Sequence, residues 1–238
     1  LTIQQTADSL KIDQSDLSTL SNNKFNDIFF KNNNFSKRIK GTQKTLNNIT
    51  KDDLIKHHKN SFNKKELHIG VSGDISEKSI KKYIEKVFGK FSIENVKPNF
   101  EKFTDLPRGQ KVIELDTPQS SVVFGHPGLS RSDKDYFSLR LANYILGGGG
   151  FQSRLYKQIR EKKGLVYSIY SYPISYKHDG FMMGGFQTRN NSVFDTIDRV
   201  KDEWSKMSKQ GITKKELDEA KAILGNKFQV NGYKLEDL

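Results

Sequence analysis

Apolar positions along the chain recur in two rhythms, and each rhythm predicts an element. Thr50-Lys51-Asp52-Asp53-Leu54-Ile55 opens with an N-cap hydroxyl and an acid three positions later, which predicts a capped helix to about His58. Leu67-His68-Ile69-Gly70-Val71 alternates as a strand does, and Ser72-Gly73-Asp74 turns the chain out of it. Ser76 to Ser79 caps a second helix, in which Ile80, Tyr83, Ile84, Val87 and Phe88 share one face and predict a core beneath it. Residues 91–110 carry Pro98, Pro107 and no period, so they read as a linker that separates residues 1–97 from 98–238.

Beyond the linker, Val112 to Leu115 and Ser121 to Gly125 read as strands. A helix from Ser132 onward turns Tyr136, Leu139, Leu141, Ala142 and Ile145 inward and stops at Gly147-Gly148-Gly149-Gly150. A short helix over about 151–162 leads through Gly164 into a strand at 165–172. A second strand at 180–188 and helices near 193–208 and 213–228 complete the chain. In the strand after Gly164, strict alternation places Leu165, Tyr167 and Ile169 on one face and Val166, Ser168 and Tyr170 on the other. Strands and helices come in groups rather than in βαβ order, which predicts an α+β class with a mixed, largely antiparallel sheet. Ile49-Thr50-Lys51-Asp52-Asp53-Leu54 returns as Ile212-Thr213-Lys214-Lys215-Glu216-Leu217, a short echo consistent with two related modules.

Composition narrows the function classes. The chain has no cysteine, which excludes disulfide frameworks, thiolate metal sites, iron–sulfur clusters and thiol nucleophiles. With 16 Phe and 9 Tyr it has material for a core. The net charge of +12 is spread along the chain without a nucleic-acid-binding signature, so no nucleic-acid partner is expected. No apolar run is long enough for a membrane span. The sequence opens without Met or signal-peptide features, which leads us to expect a piece of a longer protein.

Candidate chemistry is sparse. His57, His58, His68, His126 and His178 form no pair at metal-ligand spacing, so no bound metal is expected from these residues. The run Gly147 to Gly150 follows a helix and lacks the Lys-Ser/Thr of a phosphate loop. It reads either as a helix stop with a connector or as a loop whose backbone approaches an extended ligand. Arg160, near a helix end, and Tyr167, early in the next strand, converge by this reading. A guanidinium fork and a phenol suit peptide carbonyls or a carboxylate, but by spacing alone a surface salt bridge beside a core tyrosine is the stronger reading.

Leu146 to Gly150, then Ser153-Arg154-Leu155-Tyr156, then Ile159-Arg160-Glu161-Lys162-Lys163-Gly164-Leu165-Val166-Tyr167-Ser168, resemble the C-terminal domain of the insulinase/pitrilysin family of zinc metallopeptidases, which includes mitochondrial processing peptidase. Gly41-Thr42, Ile49 to Leu54 and Val71 to Asp74 are similar to the end of that family's N-terminal domain.

The resemblance implies the processing-peptidase metallopeptidase fold, homologous modules around a chamber, with 1–97 as the second half of the N-terminal domain and 98–238 as the first part of the substrate-binding domain. It implies zinc held elsewhere, by an H-x-x-E-H motif before Leu1 or on a partner chain, and none held here. Arg160, Tyr167, Gly147, Gly148, Gly149 and Gly150 would hold an extended peptide substrate and carry no catalytic step. Where many members have His-Pro-Tyr-Gly, this chain has Asn34-Phe35-Ser36-Lys37-Arg38, which leaves open a non-catalytic partner subunit. The resemblance further implies a homodimer or a heterodimer with a zinc-bearing member, a segment inactive alone, and, from bacterial members, a periplasmic or membrane-associated location.

Overall fold

The computed structural model describes residues 3–61, 64, 67–91 and 106–230, with side chains through residue 225. Residues group into two units, Leu1–Leu10 with Ile39–Phe100 and Lys11–Arg38 with Glu101–Leu238. Most of the linker expected at 91–110 lies outside the described residues.

The chain begins with α1 (Ile3–Asp13), α2 (Leu17–Phe29), α3 (Gln43–Asn47), α4 (Lys51–Ser61) and α5 (Glu77–Phe88). Local chemistry explains where these helices start. Asp16 caps α2 by accepting from the Thr19 amide, and Thr42 and Thr45 close a reciprocal box at α3. At α4 the Thr50 hydroxyl accepts from the Asp53 amide at 3.2 Å, while Asp53 accepts from the Thr50 amide at 2.9 Å, so the box read from sequence forms. Ser76 caps α5.

Two expectations for the first unit are corrected. Residues 67–71 do not form a strand, because no strand pairs with them among the described residues, and Ile69 and Val71 stay exposed. The apolar face of α5 covers no core among the described residues: none of its side chains is buried, and Tyr83 and Val87 are exposed.

The second unit holds the three-stranded antiparallel sheet, in the order β1 (Gln119–Pro127), β3 (Gly180–Arg189), β2 (Val166–Ser175). Val112 to Leu115, expected as a strand, lies outside this sheet, with Val112, Ile113 and Leu115 exposed. α6 (Tyr136–Asn143), α7 (Val193–Gln210) and α8 (Lys214–Val230) complete the unit. Leu146, Leu155, Ile159, Val166, Ile169, Phe186 and Val200 form one core cluster, joined by Trp204 of α7. A second cluster gathers Phe29 and Phe30 with Phe181 and Met183, and Phe25 packs against it. α2 is therefore seated on the sheet, with Ser21 and Ser121 hydroxyls 2.8 Å apart and Gln187 Nε2 donating to Ser18 Oγ at 2.6 Å.

The helical runs around the glycines are wider than an α-helix. Tyr144–Gly148 continues α6 as a π-helix, and the expected helix at 151–162 begins as a 3₁₀ turn and opens into a second π-helix over Tyr156–Glu161. The Lys162 amide reaches back to Lys157 O at 3.1 Å, and the Leu165 amide reaches Ile159 O at 3.2 Å. Such widened turns are rare and concentrate at functional sites, because they rotate side chains off the regular helical faces.

Candidate functional site

Arg160 and Tyr167 are brought together, and the means is a β-bulge. β2 pairs Val166 with Thr188 and Ile169 with Phe186, so Tyr167 and Ser168 share the place of a single residue opposite β3. Val166 and Ile169 are both buried and Tyr167 and Ser168 both exposed, which corrects the alternation expected from sequence: Tyr167 does not share a face with Ile169. Tyr167 is 85% exposed. Further along β2 the rings of Tyr170 and Tyr172 stack, 5.9 Å apart and 15° from parallel.

Arg160 leaves the second π-helix and lies across the bulge. Its Nε donates to the Tyr167 carbonyl oxygen at 2.7 Å, and its Nη1 donates to the Tyr156 hydroxyl. The guanidinium also covers both rings, with its carbon 4.7 Å from the Tyr156 centroid and 5.6 Å from that of Tyr167. Tyr156 is 7% exposed and meets the exposed Phe151 ring edge to face at 4.8 Å. The result is an outward-facing group in which a cation is held between two phenols and one phenol stands free in solvent.

Tyr156 and Phe151 were not singled out by the sequence reading. The signal available for Tyr156 was its i, i+4 spacing to Arg160, which places the two side chains on one helical face.

The glycine run sits next to this group and is built by packing. A Cβ on Gly147 would stand 2.3 Å from Ser171 Oγ and 2.9 Å from the Ser171 amide nitrogen. Beside it, Asn143 Nδ2 donates to Ser171 O at 3.0 Å, and Ser171 Oγ donates to Asn143 Oδ1 at 2.7 Å, a buried polar pair that ties α6 to β2. Gly148 and Gly149 lie against Asn143 and Tyr144, whereas Gly150 adopts φ +56° with open space around it. The run therefore joins close approach of the π-turn to β2 with a left-handed exit at its end.

Arg154, two turns before the exit into β2, has a different task. Its Nε and Nη2 grip Glu216 at 2.6 and 2.8 Å, and Nη2 also donates to Gly211 O at 3.0 Å. Glu216 accepts in addition from the amide and hydroxyl of Thr213, at 2.8 and 2.9 Å, as the box partner at the start of α8. The Arg154 fork holds the Glu216 carboxyl down at about 2, and Glu216 in turn raises the guanidinium. A shallow hollow of about 330 Å³ opens along this side, lined by Arg154, Lys157, Gln158, Glu216 and Ile223 among others. Neither Arg160 nor Tyr167 lines it.

The five histidines are dispersed. His57 and His58 lie on α4, His68 in the extended segment after it, His126 at the end of β1 against Trp204, and His178 in the β2–β3 turn. Among the described residues no three His, Asp or Glu side chains gather as a metal-holding set. Among the described residues, no helix is long and apolar enough to cross a membrane.

The sequence profile described as the peptidase M16 inactive domain matches residues 48–224. A Bacillus subtilis protein named uncharacterized zinc protease YmxG is 30% identical over 183 residues, which covers 77% of this chain and 44% of that protein. The Helicobacter pylori protein named non-peptidase homolog YmxG is 30% identical over 217 residues, covering 89% of this chain and 49% of its own length. The crystal structure of a peptidase M16 inactive domain from Pseudomonas fluorescens superposes with a TM-score of 0.84 at 26% identity, over 99% of this chain and 56% of that one. The chain spans about half the length of the curated relatives it matches.

Proposed function

The chain belongs to the peptidase M16 family of zinc proteases, matching its inactive domain, and on that footing we propose that residues 98–238 hold an extended peptide for cleavage by zinc-bearing residues located elsewhere. One observation carries the reading: Arg160 donates across a β-bulge to the Tyr167 carbonyl, and the same bulge turns the Tyr167 phenol out to solvent beside the guanidinium. Peptide backbone carbonyls accept from such groups, and fixing the peptide in one orientation lowers the entropic part of the barrier. The run Gly147 to Gly150 would let a peptide backbone approach closely at its exposed end. Residues 1–97 would complete the preceding domain, and the working assembly would be a homodimer or a heterodimer with a zinc-bearing member.

The test uses the full-length protein, alone and with a zinc-bearing family member, with and without a chelator. Arg160→Ala or Tyr167→Phe is expected to lower peptide turnover by about 1–3 kcal/mol of transition-state binding, the size of a lost charge-assisted or phenolic hydrogen bond. Unchanged kinetics in both variants would remove the assignment.

A second reading is a subunit that binds a partner or peptide without any peptidase activity in its own polypeptide. Its support is the Helicobacter pylori relative named a non-peptidase homolog, together with Asn34 to Arg38 in place of His-Pro-Tyr-Gly. Chelator-sensitive cleavage by the full-length protein in the absence of any partner would exclude it.

A further inference from the structure

The hollow beside Arg154 has walls from two helical segments, and neither Arg160 nor Tyr167 belongs to it. Leu155 and Ile159 are fully buried in the core, which leaves Arg154, Lys157 and Gln158, three and four residues apart, to form one wall. The other wall is a single stripe of α8, in which Glu219, Ala220 and Ile223 follow Glu216 by three, four and seven residues. Ile145, from the first π-turn, adds to the apolar part. Ala220 is 2% exposed, and its single methyl keeps open a space that a longer side chain would close. At about 330 Å³ the hollow sits at the small end of ligand sites, which span about 300–1,000 Å³.

Charge on these walls is balanced at every place but one. Arg154 and Glu216 cancel within their own pair, and Glu219, exposed at the rim, lies 3.9 Å from Lys215. Lys157 is half-buried, and its ammonium has no hydrogen bond or ion pair among the described residues. Gln158 Oε1 accepts from Lys162 at 3.0 Å, which leaves its amide N–H groups as donors. The unused groups are thus a cation and amide donors, set beside an aliphatic floor.

We propose that this hollow binds a small carboxylate carried on a short branched aliphatic group. Lys157 and the Gln158 amide meet the carboxylate, where a recess shields their contact from water, and Ile145, Ala220 and Ile223 meet the tail. A free aliphatic acid and the leucine-type C-terminus of a peptide share this chemistry. The site is independent of the peptide-holding reading, because none of the residues invoked there lines it.

The test uses the full-length protein with ¹³C-labelled isoleucine δ1 methyls, so that Ile145 and Ile223 report on the hollow directly. N-acetyl-leucine and 4-methylpentanoate are titrated as the two sources. N-acetyl-leucinamide, which lacks the charge, and N-acetylglycine, which lacks the tail, are the controls. Both acids are expected to shift the Ile145 and Ile223 methyls saturably, and the tighter of the two identifies the source. Each control is expected to bind at least about 5-fold more weakly. Lys157→Ala is expected to weaken both acids about 5- to 10-fold and Lys157→Arg less than about 3-fold, with urea unfolding followed at Trp204 unchanged in both variants.

No saturable shift with either acid up to about 10 mM would overturn the site, including the case in which the remainder of the full-length chain fills the hollow. Equal binding of N-acetyl-leucinamide would overturn the claim that the site selects an anion. Lys157→Ala titrating like the wild type would overturn the part given to Lys157. The readout involves no peptide turnover, so its failure is distinct from failure of the peptide-holding reading.

Discussion

Glu216→Gln tests how the second unit is tied together, and its effect should depend on pH in a defined direction. The carboxylate accepts four hydrogen bonds, two from the Arg154 fork at 2.6 and 2.8 Å and two from Thr213 at 2.8 and 2.9 Å. It thereby joins the helix carrying Arg160 to the start of α8, across 62 residues of sequence. Its proton affinity falls from an ordinary value near 4.5 to about 2, chiefly because the Arg154 fork bonds the charged form. At about 1.4 kcal/mol per pH unit the linkage ceiling is about 3 kcal/mol, and screening at a side chain still 27% exposed reduces this to about 1–2 kcal/mol.

Because the folded value lies below the unfolded one, this stability is complete above about pH 4.5 and is lost as pH falls toward 2. The assay is urea unfolding followed by the fluorescence of Trp204, the sole tryptophan, which packs on the core of the same unit. Glu216→Gln should cost about 1–2 kcal/mol at pH 7, and the difference between wild type and variant should shrink steadily below about pH 4.5, to a small remainder by about pH 2. A difference that stays constant from pH 7 to pH 2.5 would refute the reasoning, since glutamine has no proton to lose.

Three further outcomes follow from the packing around the glycine run. Gly147→Ala forces a Cβ against the Ser171 backbone and should cost about 1–3 kcal/mol by the same fluorescence readout, whereas Gly150→Ala meets no atom and should cost only about 1 kcal/mol of left-handed backbone strain. Asn143→Ala leaves the buried Ser171 carbonyl and hydroxyl without their partner and should cost about 2–3 kcal/mol; Ser171→Ala added to it should cost little more, a non-additivity measurable as a double-mutant cycle. Thr213→Ala should destabilise by about 1 kcal/mol through loss of the α8 cap, with the Arg154–Glu216 pair retained.

What was legible in the amino-acid sequence is what short stretches decide for themselves. The box Thr50/Asp53 forms where its spacing predicted, and its echo at Thr213/Glu216 closes in the same way, because a hydroxyl and an acid three residues apart satisfy each other's amides without help from the rest of the chain. The strands at 121–125, 165–172 and 180–188, the α+β class and the closeness of Arg160 to Tyr167 followed from periodicity and from a seven-residue separation across one turn.

Tertiary structure decided everything that depends on a distant partner. Residues 67–71 and 112–115 have strand-like alternation, yet alternation describes only which side chains could share a face, and a strand also requires a neighbour to accept its backbone hydrogen bonds. The direction of Tyr167 was set by the register of β2 on β3, where a bulge absorbs one residue and reverses the expected face. Gly147 is required by Ser171 on another element, and Arg154 is fixed by Glu216 far along the chain, relations that no local pattern encodes because they arise only when separate elements come into contact.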